Sequence, residues 1–272
     1  MSAAPAGAIR LVLVGATGRM GGQILRELAR HPRLRLIGAV ASERSRALGE
    51  DAAERAGLPA SGVRISAALA PLLARADLVL DFSLGAVVER TLSECSAARV
   101  PLLFGATGLP PSLDSALRAA AACIPVLVAA NTSLGVNLLL ELVSRAAKTL
   151  PASFDIEILE SHHRLKRDAP SGTALALGQA AAEARGRALE PLRDSRAGER
   201  SAGQIGFAVI RGGDVVGEHQ VLFLGEGESL KLSHRATDRA IFARGALQAG
   251  LWLVRQPPGR YAMRDFLSAT VE

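Results

Sequence analysis

The first half of the chain alternates short apolar runs with segments of helical spacing, and this alternation constrains the fold more than any other feature. Near-continuous Val, Leu and Ile in the runs indicates strands of a parallel sheet covered on both faces. We therefore predict an α/β fold with a Rossmann-like, doubly wound parallel sheet. The six predicted strands are Ile9–Val14, Leu34–Ala41, Val63–Ser66, Leu78–Phe82, Leu102–Phe104 and Pro125–Val128, with helices at Met20–Arg30, Ala68–Arg75, Ala86–Arg99 and Ser112–Ala122.

The rhythm changes after Asn131, which predicts a second, α+β domain built on an open mixed sheet. Tight turns, GGD and GEGE, separate its last three strands and predict that consecutive strands pair antiparallel. We expect residues 1–132 plus 241–272 to form the dinucleotide-binding domain, and residues 133–240 to form a substrate-binding and oligomerisation domain. The predicted elements are the helices Leu134–Leu150, Ser171–Arg185 and Asp238–Val254 and the strands Asp155–Glu160, Ile205–Ile210, Val215–Leu224 and Ser229–His234, with a polar loop at 190–204.

Composition excludes several classes of protein. The net charge of +6 comes from scattered arginines without an aromatic-interleaved basic stripe, so no nucleic acid partner is expected. Cys95 and Cys123 match no metal or redox spacing and suit a reducing cytosol, so a cytoplasmic location is expected. No signal peptide is expected, and the most apolar stretch, 124–143, is too polar for a membrane span.

Three glycines recur at every third position directly after the first predicted strand. Gly15, Gly18 and Gly21 lie between that strand and a helix, where glycine lets the backbone approach a pyrophosphate at the helix N-terminus. The pattern departs from G-x-G-x-x-G because Thr17 stands in place of the middle glycine. The turn therefore predicts a dinucleotide site; the alternative is that the glycines serve only a tight turn.

Polar residues at the end of the second predicted strand occupy the usual position of the adenosine ribose contact. Glu43 suits the free 2′-hydroxyl of NADH, whereas Ser42 and Arg44 suit the 2′-phosphate of NADPH. We predict that both cofactors are used, with NADPH favoured. The alternative is a solvated polar loop.

Two later strand ends carry small residues with exposed amides, which suit a nicotinamide ring. They are Gly105, Ala106 and Thr107 after the fifth predicted strand, and Ala129, Ala130, Asn131 and Thr132 after the sixth. Either segment could instead be a simple turn.

The stretch SHHRLKRDAPSGTAL, from Ser161 to Leu175, gathers histidines, cations and a Ser-Gly-Thr turn ahead of an alanine-rich helix. Lys166 is one of only three lysines among 32 Lys and Arg residues. A compact ammonium that can lose its proton is therefore favoured there over a planar guanidinium. The alternative is a chance lysine in a solvated loop.

The ordered motifs of this chain resemble the dihydrodipicolinate reductase family. They are VGATGRMG, GATG, AANTSLGVN, ESHHRLKRDAPSGTALALG, GERSAGQIGFAVIRGGDVVGEH and FARGALQAGLWL. The resemblance implies a cytoplasmic homotetramer that reduces a cyclic, unsaturated dicarboxylate with NADH or NADPH on the route to diaminopimelate and lysine. It also implies that His162 donates and accepts the proton and that Lys166 is a proton donor or a cation that orients the substrate. His163 is then a substrate contact, and the backbone amides of Gly172 and Thr173 bind a carboxylate. The implied cofactor contacts are Gly15, Ala16, Thr17, Gly18, Arg19, Met20, Gly105–Thr107 and Ala129–Thr132.

Physical reasoning on the same stretch agrees with that resemblance. A substrate with two carboxylates needs fixed donors, and Lys166, His163 and the helix start at Ser171–Thr173 supply them. Hydride delivery to a conjugated imine leaves electron density that must accept a proton, and His162 is a suitable donor near neutral pH. His162 and His163 are neighbours in an extended segment and face opposite ways, so no metal site is expected.

Two other functions remain open at the level of sequence. One is a nicotinamide-dependent dehydrogenase of another small acid on the same two-domain plan. The other is a non-catalytic dinucleotide sensor or nucleic-acid-binding module, for which the net charge of +6 is the only support.

Overall fold

The computed structural model describes residues 7–83, 87–105, 112–189 and 198–269. The chain divides into two compact units. The first comprises Met1–Leu134 together with Ala240–Glu272, and the second comprises Gly135–Arg239. Within the described ranges, no helix combines the length and apolar character that crossing a lipid bilayer requires.

A seven-stranded parallel sheet forms the first unit, in the order β11 (Gly259–Tyr261), β6 (Pro125–Val128), β5 (Leu102–Phe104), β4 (Leu78–Asp81), β1 (Ile9–Val14), β2 (Leu34–Val40) and β3 (Ile65–Ser66). This order is that of a doubly wound sheet, which confirms the predicted Rossmann-like fold. Apolar clusters cover both faces, as the continuous apolar strands predicted. The elements are β1 (Ile9–Val14), α1 (Arg19–Leu28), β2 (Leu34–Val40), α2 (Ala52–Arg55), β3 (Ile65–Ser66), α3 (Ala70–Leu73), β4 (Leu78–Asp81), α4 (Val88–Ala98), β5 (Leu102–Phe104), α5 (Leu113–Ala121), β6 (Pro125–Val128), α8 (Ala240–Leu253), β11 (Gly259–Tyr261) and α9 (Met263–Ala269).

The prediction of six strands in this sheet is wrong by one. The tail of the chain adds β11 beside β6, with Gly259 opposite Pro125 and Tyr261 opposite Leu127. A three-residue strand with an arginine at its centre has too short a pattern to be recognised. The helix α2 was also missed, because it is a single turn.

The second unit is an open four-stranded mixed sheet in the order β10 (Ser229–Ala236), β9 (Gly217–Leu224), β7 (Asp155–His162) and β8 (Ile205–Arg211). One face packs against two helices around a core that includes Ile158, Val221 and Phe223. This confirms the predicted α+β domain on a mixed sheet. Its elements are α6 (Leu134–Thr149), β7 (Asp155–His162), α7 (Gly172–Ala184), β8 (Ile205–Arg211), β9 (Gly217–Leu224) and β10 (Ser229–Ala236).

The predicted pairing of β8 with β9 across the GGD turn is wrong. The strand β7 lies between them, parallel to β8 and antiparallel to β9. Only β9 and β10 form the expected antiparallel hairpin. This insertion brings the His162 end of β7 between Arg211 on one neighbouring strand and Glu218 on the other.

Candidate active site

Four strands of the first unit end in register at one edge of the sheet. Val14 is opposite Asp81, Asp81 is opposite Phe104, and Phe104 is opposite Val128. The residues that follow these ends include Gly15, Gly105 and Ala129, all predicted cofactor contacts. The carboxyl edge of a doubly wound sheet is where dinucleotides bind, and β1 lies at the point where the strand order reverses.

The glycine turn after β1 is shaped by close backbone approaches. Gly15 has φ +80°, and a Cβ there would lie 2.7 Å from the carbonyl carbon of Phe82. A Cβ at Gly21 would lie 2.4 Å from the carbonyl oxygen of Gly15. Gly18 caps α1 without a side-chain hydrogen bond, and no acidic residue occupies the first turn of that helix. The amides at this helix start fit the pyrophosphate of a dinucleotide, since they face neither a capping side chain nor a carboxylate.

The predicted ribose contacts lie in the loop that follows β2. The Oγ of Ser42 accepts a hydrogen bond of 3.3 Å from the amide of Arg44. The Glu43 side chain is 78% exposed, and its carboxylate lies 3.8 Å from the guanidinium of Arg90. Both a carboxylate and cations are therefore accessible at this loop.

The remaining predicted cofactor contacts follow β5 and β6. A Cβ at Gly105 would lie 2.2 Å from the ring of Phe82, so any larger residue would require that ring to move. Thr132 is buried, and its hydroxyl donates a 2.7 Å hydrogen bond to the carbonyl of Phe242. Asn131 accepts a hydrogen bond from the amide of Ser133. Ala106 and Thr107 lie outside the described residues.

In the second unit, polar side chains gather at one end of the sheet face that otherwise packs the core. Glu160 is 1% exposed and lies at the centre of this cluster. Its Oε2 is 2.5 Å from Nδ1 of His162, and its two oxygens accept hydrogen bonds of 2.7 and 2.8 Å from Arg211. The amide of Ser171 donates a further hydrogen bond of 2.9 Å to Oε1.

A second histidine of the sheet completes this cluster. The rings of His162 and His219 meet edge to face, with centroids 5.2 Å apart. The Nε2 of His219 lies 2.9 Å from the Oγ of Ser171. Because alternate residues of a strand share a face, Glu160 and His162 lie on the same side of β7.

Burial and neighbouring charges shift the pKa values of Glu160, His162 and His219. Burial alone raises the pKa of Glu160, but hydrogen bonds from Arg211, His162 and Ser171 outweigh it and lower that pKa. Burial lowers the pKa of His162, the contact with Glu160 opposes this, and Lys166 and Arg211 add to the lowering. Burial also lowers the pKa of His219, to about 4. His219 is therefore neutral near pH 7.

The other predicted substrate contacts follow β7. The ammonium of Lys166 is 2.7 Å from Oδ2 of Asp168, in a pair whose lysine is mostly buried and whose aspartate is exposed. The Nε2 of His163 lies 3.1 Å from the guanidinium of Arg239. The two adjacent histidines therefore have separate partners, as their positions in an extended segment predicted.

The helix α7 begins where the sequence predicted an anion-binding end. Ser171 caps it by accepting a 3.2 Å hydrogen bond from the amide of Ala174. The first turn contains Gly172 and Thr173 and no acidic residue. A Cβ at Gly172 would meet nothing within 4 Å, so this backbone is open to a neighbouring group. Amides at a helix start with these properties suit a carboxylate.

Sequence reasoning missed Glu160, Arg211 and His219. Glu160 carried a signal, because a carboxylate two residues before His162 in a strand must share its face. Arg211 and His219 stand in the family motif GERSAGQIGFAVIRGGDVVGEH, but residue type and spacing did not indicate that they lie near Glu160 and Ser171, since that proximity depends on the insertion of β7 between β8 and β9. Throughout the described ranges, no three His, Cys, Asp or Glu side chains are grouped in a way that could hold a metal ion.

Two family models match the chain in sequence. "Dihydrodipicolinate reductase, N-terminus" matches residues 9–132, and "Dihydrodipicolinate reductase, C-terminus" matches residues 135–267. Together they span both compact units and contain every residue of the Glu160 cluster.

Curated relatives and solved structures agree with these matches. A 4-hydroxy-tetrahydrodipicolinate reductase of Anaeromyxobacter dehalogenans is 48% identical over 95% of this chain and 97% of the relative. 4-Hydroxy-tetrahydrodipicolinate reductase 1 of Mesorhizobium japonicum is 48% identical over 96% of this chain and 98% of its own. A dipicolinate-bound dihydrodipicolinate reductase from Paenisporosarcina sp. TG-14 superposes with a TM-score of 0.77 at 26% identity, covering 94% of this chain and 97% of that one.

Proposed function

We propose a function from one premise, which is that the chain belongs to the dihydrodipicolinate reductase family. It is an NAD(P)H-dependent oxidoreductase that reduces 4-hydroxy-tetrahydrodipicolinate to tetrahydrodipicolinate in lysine and diaminopimelate biosynthesis. The observation that carries this function is the folded ESHHRLKRDAPSGT segment, in which His162 contacts Glu160 and Ser171 caps a helix open to an anion.

The first unit holds the cofactor. The amides of Gly15–Met20 would hold the pyrophosphate, the loop with Ser42, Glu43 and Arg44 would contact the adenosine ribose, and Gly105 with Ala129–Thr132 would contact the nicotinamide end. Ala106 and Thr107 belong to the same proposal and lie outside the described residues. When bound, the reduced nicotinamide supplies the hydride. The close packing of Gly15 and Gly105 against Phe82 supports this assignment, because it holds two of the predicted cofactor loops together at the carboxyl edge of the sheet.

The second unit holds the dicarboxylate. The backbone amides of Gly172 and Thr173 donate hydrogen bonds to one carboxylate, and the side chains of His163 and Lys166 provide further hydrogen-bond donors. Loss of water from the 4-hydroxy substrate gives a conjugated imine. Hydride added to one carbon of that imine leaves an electron pair that accepts a proton from His162. The dipicolinate bound to the Paenisporosarcina relative has two carboxylates, which supports a small dicarboxylate as the ligand here.

A steady-state assay tests this function. The substrate is generated enzymatically in the cuvette, and oxidation of NADH and NADPH is followed separately. We expect turnover with both, with a higher kcat/KM for NADPH. Turnover of unrelated small 2-oxo or 2-hydroxy acids and none of the dicarboxylate would identify a different dehydrogenase. Salt-dependent retention on DNA without turnover would identify a nucleic-acid-binding module.

The assembly is a homotetramer in this proposal. Ile210 is 56% exposed and Leu224 is 39% exposed, and both lie on the sheet face opposite the core residues Ile158 and Val221. A second copy covering this face would remove that apolar surface from water. Analytical ultracentrifugation should show a tetramer for the parent protein and smaller species for Ile210→Lys. A parent protein that sediments as a monomer would contradict the homotetramer.

The proposed location is the cytoplasm. Cys95 is buried and Cys123 is exposed, and both are free thiols. An exposed free thiol is compatible with a reducing compartment. Fractionation of cells that express the chain tests this location.

A further inference from the structure

Glu160 is buried and contacts Arg211, His162 and Ser171, and the roles proposed for His162 and Lys166 do not account for these contacts. Resting on the proposed function, we propose that Glu160, anchored by Arg211, is a positioning residue that holds His162 with its proton on Nδ1 and leaves Nε2 to exchange a proton with the substrate. This role goes beyond binding the dicarboxylate, since Glu160 acts only through the histidine.

The geometry around Glu160 leaves the carboxylate little freedom. Arg211 holds both oxygens, at 2.7 and 2.8 Å, and Ser171 donates an amide at 2.9 Å. The guanidinium of Arg211 also donates a 2.8 Å hydrogen bond to the carbonyl of Asp168, which fixes it in turn. The Oε2 atom that faces His162 at 2.5 Å is thus a fixed acceptor.

A fixed anionic acceptor determines the state of the imidazole. An ionised carboxylate only accepts hydrogen bonds, so the nitrogen facing it must carry a hydrogen. The neutral ring therefore has its hydrogen on Nδ1 and a free lone pair on Nε2. Loss of the carboxylate that sets a histidine's tautomer costs up to about 10⁴-fold in rate in serine proteases.

The Nε2 atom of His162 lies next to the backbone of Gly217 on β9. A Cβ on Gly217 of β9 would lie 3.0 Å from Nε2 of His162. Glycine at this position therefore keeps a side chain away from the nitrogen that must exchange the proton. The edge-to-face contact with His219 limits rotation of the ring.

Charged groups reach His162 from several elements. Glu160 on β7 favours the imidazolium, whereas Arg211 on β8 and Lys166 in the following loop oppose it. His219 on β9 is neutral near pH 7, because burial lowers its pKa to about 4. Glu160 and Arg211 therefore act on the protonation of His162 in opposite directions.

The tautomer can be measured on the unmodified protein. Long-range ¹H–¹⁵N correlation spectra distinguish Nδ1–H from Nε2–H imidazoles, and the spectrum of His162→Gln identifies the signal among the five histidines. Above the pKa of His162 we expect the Nδ1–H form. An Nε2–H form would overturn the positioning role, even in a protein that turns over the substrate.

Two variants test the effect on catalysis. Because His162 donates a proton, kcat/KM falls as pH rises through its pKa. Glu160→Gln should move the midpoint of this decrease in kcat/KM to lower pH. It should also reduce kcat at least about tenfold, since a neutral amide no longer enforces the tautomer. Arg211→Met should move the fall to higher pH. KM for the substrate should change less than about threefold in Glu160→Gln.

A matched control separates positioning from general damage. Glu157→Gln makes the same change on the same strand, on the opposite face, in a carboxylate paired with Arg200. We expect it to leave the pH profile and kcat unchanged. Shifts of the same sign in the Glu160 and Arg211 variants, or a pH profile of Glu160→Gln like that of the parent, would overturn the proposal. Absence of turnover in the parent would instead overturn the proposed function. The tautomer spectrum tests the positioning role separately, because it is recorded without turnover.

Discussion

The Oγ of Ser171 lies 2.9 Å from Nε2 of His219, so the residue that starts α7 also contacts a histidine of β9. The same oxygen accepts the amide hydrogen of Ala174 at 3.2 Å. A hydroxyl has a single hydrogen, which is therefore available to the neutral His219. One serine thus connects the start of α7 with the sheet that carries Glu160 and His162.

We expect Ser171→Ala to destabilise the protein by about 2 kcal/mol or more. Loss of a serine N-cap costs about 1 kcal/mol, and a buried Nε2 of His219 left without its partner adds to it. Urea denaturation followed by circular dichroism measures the change. Ser171→Thr keeps the hydroxyl and should retain most of the stability. Equal unfolding free energies for Ser171→Ala and the parent would show that the two contacts contribute nothing.

We expect Gly21→Ala and Gly22→Ala to differ sharply although they are adjacent in α1. A Cβ at Gly21 would lie 2.4 Å from the carbonyl oxygen of Gly15, whereas a Cβ at Gly22 would have only the tip of Arg26 nearby, at 3.7 Å. Gly21→Ala should therefore lower the melting temperature and weaken NADPH binding at least tenfold. Gly22→Ala should leave binding unchanged and add up to about 1 kcal/mol of stability. Thermal unfolding and NADPH fluorescence titration measure both. Similar losses in the two variants would contradict the close approach at Gly21.

We expect Lys166→Met to lower kcat/KM for the dicarboxylate by about 10² or more, because it removes a positioned cation and donor. NADPH binding, measured by fluorescence, should remain within about twofold, since only the proposed substrate contact is lost. Lys148→Met provides the control, as this exposed lysine lies in the last turn of α6. A Lys166→Met enzyme within a few-fold of the parent would remove Lys166 from the proposed site.

Much of the fold could be predicted from local patterns of apolar residues in the sequence. The predicted strands Ile9–Val14, Leu102–Phe104 and Pro125–Val128 match β1, β5 and β6 in full, because each is an apolar run bounded by clear breaks. The order of the second sheet could not be predicted in this way. The GGD turn is a local hairpin signal, but the pairing of β7 with both neighbours depends on residues about 50 to 70 positions apart.

The candidate site shows the same division between local and long-range information. His162, Lys166 and the start of α7 lie within one continuous stretch, so their residue types could be interpreted together. Arg211 reaches Glu160 across 51 positions of sequence, and His219 reaches Ser171 across 48. Only the strand order brings these groups together, which is why the buried network behind His162 was absent from the sequence-based prediction.

The acid stability of the first unit should depend on Asp51. This buried aspartate caps α2 by accepting amide hydrogens from Ala53 and Glu54, and it also accepts those of Ser61 and Gly62, at 2.7 to 3.2 Å. Burial alone raises the pKa of Asp51, but these four hydrogen bonds outweigh it and lower the pKa to about 2.

The folded state therefore binds a proton at Asp51 less readily than the unfolded chain does, whose aspartate has a pKa near 3.8. The stabilisation is complete above pH 3.8 and is lost as pH falls towards 2. We expect Asp51→Asn to lower the unfolding free energy by about 1–3 kcal/mol at pH 7, since buried amides lose a charged acceptor. The difference from the parent should shrink as pH falls through this window. Asp214→Asn, at an exposed turn, should change stability by less than about 0.5 kcal/mol at either pH. A difference for Asp51→Asn that stays constant from pH 7 to pH 2 would show that the charge of Asp51 does not stabilise this loop.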